Sequence, residues 1–324
     1  MDIFWLILGL VMIIWGADRL VDGASWLARR LGMSDLVVGL TVVALGTSTP
    51  ELTISVISAF QGSTELAVGN VVGSNIANIL LIIGVTALVR PVKVTNNVMT
   101  RQMPLMVLSA LFLLLYGNSV FLDGAPSNVI NRTDGIVLMF LCMLFVIYTV
   151  KNARAEVGCD LPEPEVAEPA VDRSAKAALK AVAFIIIGLA ALIFGGDKFV
   201  DGASGIARDL GLSEGVIGLT IVAIGTSLPE LATSVVAAVK GSPGLAVGNV
   251  IGSNIFNVSL VLGASAAARP LQFGSINNFD LFTLLGASLL FWLMGHFWGN
   301  RVINRGEGAI MLLCYAAYLT VLII

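Results

Sequence analysis

Residues 37–51, VVGLTVVALGTSTPE, leave few folds open to this chain. The stretch begins as an uncharged, β-branched apolar run and breaks at Gly46-Thr47-Ser48-Thr49-Pro50. It then delivers a carboxylate, Glu51, before the apolar run resumes from Leu52 to Phe60. The same text returns at residues 216–230 as VIGLTIVAIGTSLPE and ends in Glu230. An ionisable side chain at membrane depth costs about 3 kcal/mol or more, so it marks a functional site with a partner.

Composition identifies the medium. The chain has 324 residues, 57% hydrophobic and 12% charged, with a mean hydropathy of +0.94. A soluble domain carries roughly twice that charge fraction. The apolar runs continue over roughly 18–25 residues, which predicts membrane-spanning helices rather than the ~10-residue alternation of a barrel. The first run, DIFWLILGLVMIIWG, has no basic leader or small-residue cleavage site and reads as the first span. Cys142, Cys159 and Cys314 show neither metal-type spacing nor an even disulfide framework.

The runs predict an all-α membrane protein of ten transmembrane helices. They lie at about 3–28, 35–60, 66–89, 103–122, 134–152, 179–207, 214–239, 245–268, 277–298 and 307–324. A polar, acidic, proline-punctuated linker at 153–178 separates a first half, 1–152, from a second, 179–324. With the N-terminus outside, thirteen loop Lys and Arg face inward and three, Arg132, Arg208 and Arg269, face outward. That bias predicts N-out and C-out with a cytoplasmic linker.

A shift of 179 residues superposes 37–84 on 216–263, with roughly 30 of 48 positions identical. It also carries Asp18 and Asp22 onto Asp197 and Asp201. Equivalent positions lie five spans apart, an odd number, so the two five-helix repeats are expected upside down relative to each other. Inverted repeats place a shared site near the bilayer midplane.

Pro50 and Pro229 lack a backbone N–H, so the carbonyls of Gly46 and Gly225 lose their helical donors. Free backbone at that depth is tolerated only where it is buried in protein or lines a wet cavity. Each half then supplies carbonyls around Ala44–Thr47 and Ala223–Thr226 and hydroxyls from Thr47, Ser48, Thr226 and Ser227. The carboxylates are Glu51 and Glu230. Hard oxygen ligands of this kind suit Ca²⁺ or Na⁺, and the lack of thiolate or imidazole argues against zinc and copper.

The next span reads LAVGNVVGSNIANILLIIG at 66–84 and LAVGNVIGSNIFNVSLVLG at 245–263. Ser74 and Asn78 share a helix face, as do Ser253 and Asn257, and all four are expected to coordinate the ion. Asn70, Asn249, Asn75 and Asn254 read equally well as polar glue between helices. Asp18, Asp22, Asp197 and Asp201 sit near span ends, either as helix-end charges or as vestibule residues.

GTSTPE at 46–51 with GSNIAN at 73–78, and GTSLPE at 225–230 with GSNIFN at 252–257, resemble the α-repeats of the calcium/cation antiporter superfamily. More narrowly, they resemble the sodium/calcium exchanger family and its potassium-dependent branch. The resemblance implies a 5+5 inverted fold with spans 2, 3, 7 and 8 at its core. It implies that Glu51 and Glu230 are shared Ca²⁺/Na⁺ carboxylates and that the Thr47 and Thr226 carbonyls bind Ca²⁺. By the same resemblance, the Ala44 and Ala223 carbonyls with Ser48, Ser227, Ser74 and Ser253 form outer Na⁺ sites, and Asn78 belongs to the central site. Asn257 departs from the pattern, because several members carry aspartate there.

The expected function is secondary-active Na⁺/Ca²⁺ antiport by alternating access, in a multi-pass protein of the cell inner membrane. A Ca²⁺/H⁺ exchanger on the same scaffold is the alternative, since paired glutamates can take up protons; a cation channel is the more distant one. No P-loop or HExxH spacing is present, so neither an enzyme nor a resident cofactor is expected. The partners expected are Ca²⁺, monovalent cations and the lipid bilayer, with no nucleic acid and no protein partner indicated.

Overall fold

Short polar loops and left-handed glycines cut the apolar text into helices. The computed structural model describes residues 1–153, 174–211, 223–274, 276–297 and 301–323. Most of the expected linker, and the start of the expected seventh span, lie outside the described residues. The first half comprises α1 (Asp2–Leu31), α2 (Asp35–Thr47), α3 (Thr49–Gln61), α4 (Thr64–Val89), α5 (Val98–Tyr116), α6 (Ser119–Asp123) and α7 (Arg132–Asn152). The second comprises α8 (Ala175–Asp209), α9 (Ala223–Thr226), α10 (Leu228–Val239), α11 (Pro243–Ala268), α12 (Asn278–Phe297) and α13 (Arg305–Ile323).

Eight of these helices are long and apolar enough to cross a membrane, and the bent pair α2–α3 makes a ninth candidate. The shorter α10 is also apolar. The protein is therefore an all-helical, multi-pass membrane protein. In α4 and α11, 78% and 94% of the apolar window is buried, against 28% in α1, α7, α8 and α13. The two helices that follow the acids thus form the centre, and α1, α7, α8 and α13 turn most of their apolar surface outward.

Helix starts follow local chemistry. Ser34 and Ser174 cap α2 and α8, each accepting a backbone N–H from three residues on. Asn131 and Asp134 form a capping box at α7, and Asn304 and Glu307 repeat it at α13. The expected fourth span, 103–122, is displaced: α5 runs from Val98 to Tyr116 and stops at Gly117. Asn118 turns back there, donating to the Leu114 carbonyl and to Asn278.

Packing crosses between the halves. A Cβ on Gly16 would meet the Gly188 carbonyl at 2.8 Å, and one on Gly23 would meet that of Ala181 at 2.7 Å. Gly195 faces the Gly9 carbonyl in the same way, at 3.0 Å. Rising numbers on α1 thus meet falling numbers on α8: these repeat-equivalent helices run antiparallel, with backbones in near contact. Glycine also brings α7 onto α11 (Gly135 on Gly263) and α13 onto α4 (Gly308 on Gly84). Two short antiparallel strand pairs tie the halves at the loops. β1 (Val92–Lys93) pairs with β4 (Val302–Ile303), and β2 (Val129–Ile130) with β3 (Leu271–Gln272).

Candidate functional site

Pro50 sits in the first turn of α3, where its missing N–H costs least. Ser48, at φ −79° and ψ 7°, leaves the helical path, and α2 meets α3 at 45°. Ser227, at φ −91° and ψ 3°, repeats the break before α10 and Pro229. Each break brings a glutamate into the first turn of the following helix, near the positive end of its dipole.

Glu51 and Glu230 are both 1% exposed and lie within electrostatic reach of each other. The Ser48 hydroxyl donates across the halves to Glu230 Oε1 at 3.5 Å. Both oxygens of Glu51, and Oε2 of Glu230, have no hydrogen-bond partner. The Ser74 hydroxyl stands beside Glu51, and Thr47 joins Ser48 beside Glu230. Ser227 and Ser253 are buried with free hydroxyls, and Asn78 and Asn257 are buried with free Oδ1 atoms. Such unpaired polar atoms are costly in a dry interior, so the cluster is built to meet something polar or charged.

The remaining expected residues take different places. The Ala44 carbonyl is already engaged, by the Ser48 amide at 3.0 Å and the Thr47 hydroxyl at 3.4 Å. Thr226 is partly buried on α9, and Ala223 begins that helix. Asn78 and Asn257 each open a π-helical turn, Asn78–Ile82 and Asn257–Val261, a distortion frequent at functional sites. No cluster of three or more His, Cys, Asp or Glu exists among the described residues. An apolar groove of about 580 Å³, lined by Leu105, Phe112, Leu141 and Phe145 among others, includes none of these residues.

Asn70 and Asn249 resolve as braces for the breaks. Asn70 Nδ2 donates to the Glu51 carbonyl at 3.4 Å and to Ser55 at 3.0 Å. Asn249 Nδ2 does the same with the Glu230 carbonyl at 3.3 Å and Ser234 at 3.1 Å. Asn249 Oδ1 also accepts from Thr47 at 3.1 Å, which links the halves. Sequence reasoning missed Ser55 and Ser234. Their signal was present: each lies four residues past a buried acid, on the same helix face.

The aspartates near the helix ends are asymmetric. Lys240, after α10, meets Asp18 and Asp22 of α1 at 2.6 Å each and the Asp18 carbonyl at 3.0 Å. The within-helix pair is common to both copies, Asp201 with Lys198 at 2.8 Å on α8 and Asp22 with Arg19 at 3.9 Å on α1; what distinguishes α1 is Lys240.

This geometry has known counterparts. The family model described as sodium/calcium exchanger protein matches residues 1–151 and 180–324. Inner membrane protein YrbG of Escherichia coli (strain K12) is 41% identical over 295 residues, 89% of this chain and 87% of that protein. Sodium/calcium exchanger MaX1 of Methanosarcina acetivorans is 35% identical over 340 residues, 98% and 97% of the two chains. The solved structure of the sodium-calcium exchanger NCX_Mj soaked with zero Na⁺ and Ca²⁺ matches with a TM-score of 0.83. It is 31% identical, and the match covers 99% of this chain and 98% of that one. A transmembrane cation antiporter is what these matches and the helices describe together, and the chain belongs to the sodium/calcium exchanger family.

Proposed function

We propose that the protein exchanges Na⁺ for Ca²⁺ by alternating access, with both ions competing for one midplane site built on Glu51 and Glu230. The observation that carries this reading is the acid pair itself. Two buried carboxylates from opposite halves have three of their four oxygens without a protein partner. Ser48 and Thr47 stand beside Glu230 and Ser74 beside Glu51. Asn78, Ser227, Ser253 and Asn257, with Thr226 and the Ala223 carbonyl, are the further oxygen donors of this reading, and the Ala44 carbonyl joins them only by giving up a bond to Ser48 or Thr47. An ensemble of oxygens fits Ca²⁺, whose shell takes six to eight of them in flexible geometry.

Charge then dictates exchange. A carboxylate-sized ion moved into a medium of low dielectric costs of order 20 kcal/mol before relaxation, so a bare doubly negative site does not cross the barrier. One Ca²⁺, or several Na⁺, cancels that charge. Only loaded forms interconvert, so a cation leaves on one side only when others return it. The antiparallel run of α1 against α8 supports two inverted halves. Ten spans with N-out and C-out orientation in a cell inner membrane complete the reading, the orientation resting on the Lys and Arg bias of the loops. The likeness to an inner membrane protein of Escherichia coli supports that location.

Proteoliposomes test the reading. Imposing a Na⁺ gradient with pH clamped on both sides is expected to drive ⁴⁵Ca²⁺ uptake, and Glu51→Gln or Glu230→Gln to abolish it while the protein still inserts. Uptake indifferent to Na⁺ but driven by a pH gradient would transfer the function to Ca²⁺/H⁺ exchange. Undiminished uptake in either glutamine variant would refute the site.

A further inference from the structure

Where α4 crosses α11, four asparagines meet: Asn75 and Asn78 from one half, Asn254 and Asn257 from the other. Each is 1% exposed. Asn78 Nδ2 donates to Asn254 Oδ1 at 3.0 Å, and Asn257 Nδ2 donates to Asn75 Oδ1 at 3.0 Å. An amide has a donor end and an acceptor end, and what surrounds it decides which way each points.

Two of the four are oriented by partners that can only accept. Asn75 Nδ2 donates to the main-chain carbonyl of Asn254 at 3.2 Å. Asn254 Nδ2 rests on the thioether sulfur of Met106 at 3.6 Å. Their oxygens must therefore face Asn257 and Asn78, and only an N–H can answer an oxygen. This turns the nitrogen ends of Asn78 and Asn257 toward that contact and leaves their Oδ1 atoms buried and unpartnered. Asn78 shares a helix face with Ser74, which stands beside Glu51, and Asn257 shares one with Ser253.

We propose that Asn75 and Asn254 are positioning residues for cation binding: they hold Asn78 and Asn257 with oxygen, not N–H, presented to the cation. The inference rests on the acid pair being the cation site, and it deepens that reading by naming what sets the neutral part of the ligand shell. It also accounts for a neutral residue at 257. A carboxylate there would set oxygen against Asn75 Oδ1, and Asn75 could turn over only by giving up its bond to the Asn254 carbonyl.

The test compares purified, reconstituted Asn75→Ala and Met106→Leu with the parent. Met106→Leu removes the acceptor that orients Asn254 while nearly conserving core volume, so it decides the matter if Asn75→Ala fails to fold. Half-saturating Ca²⁺ and maximal rate are read from ⁴⁵Ca²⁺ uptake, and Ca²⁺-dependent protection from thermal unfolding of the purified protein. The expected result is a roughly tenfold rise in half-saturating Ca²⁺ for Asn75→Ala, about 1.4 kcal/mol, with maximal rate within about twofold. Met106→Leu should move the same way by about threefold. A merely structural role would lower the unfolding temperature equally with and without Ca²⁺ and leave half-saturation at the parental value, and that result overturns the proposal. Glu51→Gln run in parallel separates the two failures. Ca²⁺ protection that survives in it removes the acid-pair site itself, whatever the asparagines do.

Discussion

Asn249 does three jobs with one amide. It braces the Glu230 carbonyl, holds Ser234, and accepts the Thr47 hydroxyl from the other half. Its counterpart Asn70 braces Glu51 and holds Ser55. Removing a buried partner costs about 1–3 kcal/mol for each polar group left unanswered. Asn249→Ala is therefore expected to lower the unfolding temperature in detergent by several degrees. Asn70, only partly buried, should cost less when replaced by alanine. Equal effects would mean that burial does not set the cost of losing the brace. At this scale the acids were plain in the sequence because nothing else explains a charge within an apolar run. The role of Met106 was not, because nothing in MPLMVLSALF distinguishes a methionine that orients an amide from one that fills space.

Between elements, the seam of α1 on α8 brings backbone against backbone at its glycines. Gly16 and Gly188 each lie against the other's carbonyl, at 2.8 Å from where a Cβ would stand. Gly16→Ala must push the helices apart and is expected to destabilise the protein by about 1–3 kcal/mol, as overpacking does. An alanine variant with parental unfolding temperature and monodispersity would show that the seam yields freely. Most spans could be drawn from hydropathy to within a few residues. The fourth could not, because Val120-Phe121-Leu122 extended the apolar text past Gly117. Phe121 is in fact 87% exposed in a short separate helix, and the polar Thr100 and Arg101 belong to α5. Average hydrophobicity cannot see a side chain such as Asn118 capturing the last turn. Nor did the repeat by itself reveal that strands and glycines would bind each half into the other.

For the molecule as a whole, two copies of one repeat carry an energetic consequence. If the two copies were the same text, the conformer open to one side and its mirror would have equal energy. Lys240 is one residue that breaks that tie. It joins α1 to the end of α10 through Asp18 and Asp22, and the position 179 residues earlier is the uncharged Gln61. A partly exposed ion pair contributes roughly 0.2–1 kcal/mol, so Lys240→Gln is expected to shift the resting orientation by about fivefold at most. Comparing half-saturating Ca²⁺ from the two faces of oriented vesicles would register that shift, and an unchanged ratio would place the bias elsewhere. A single charge without a counterpart in the other copy thus leans a palindromic machine toward a default posture, and with it toward a preferred side on which to wait for its cargo.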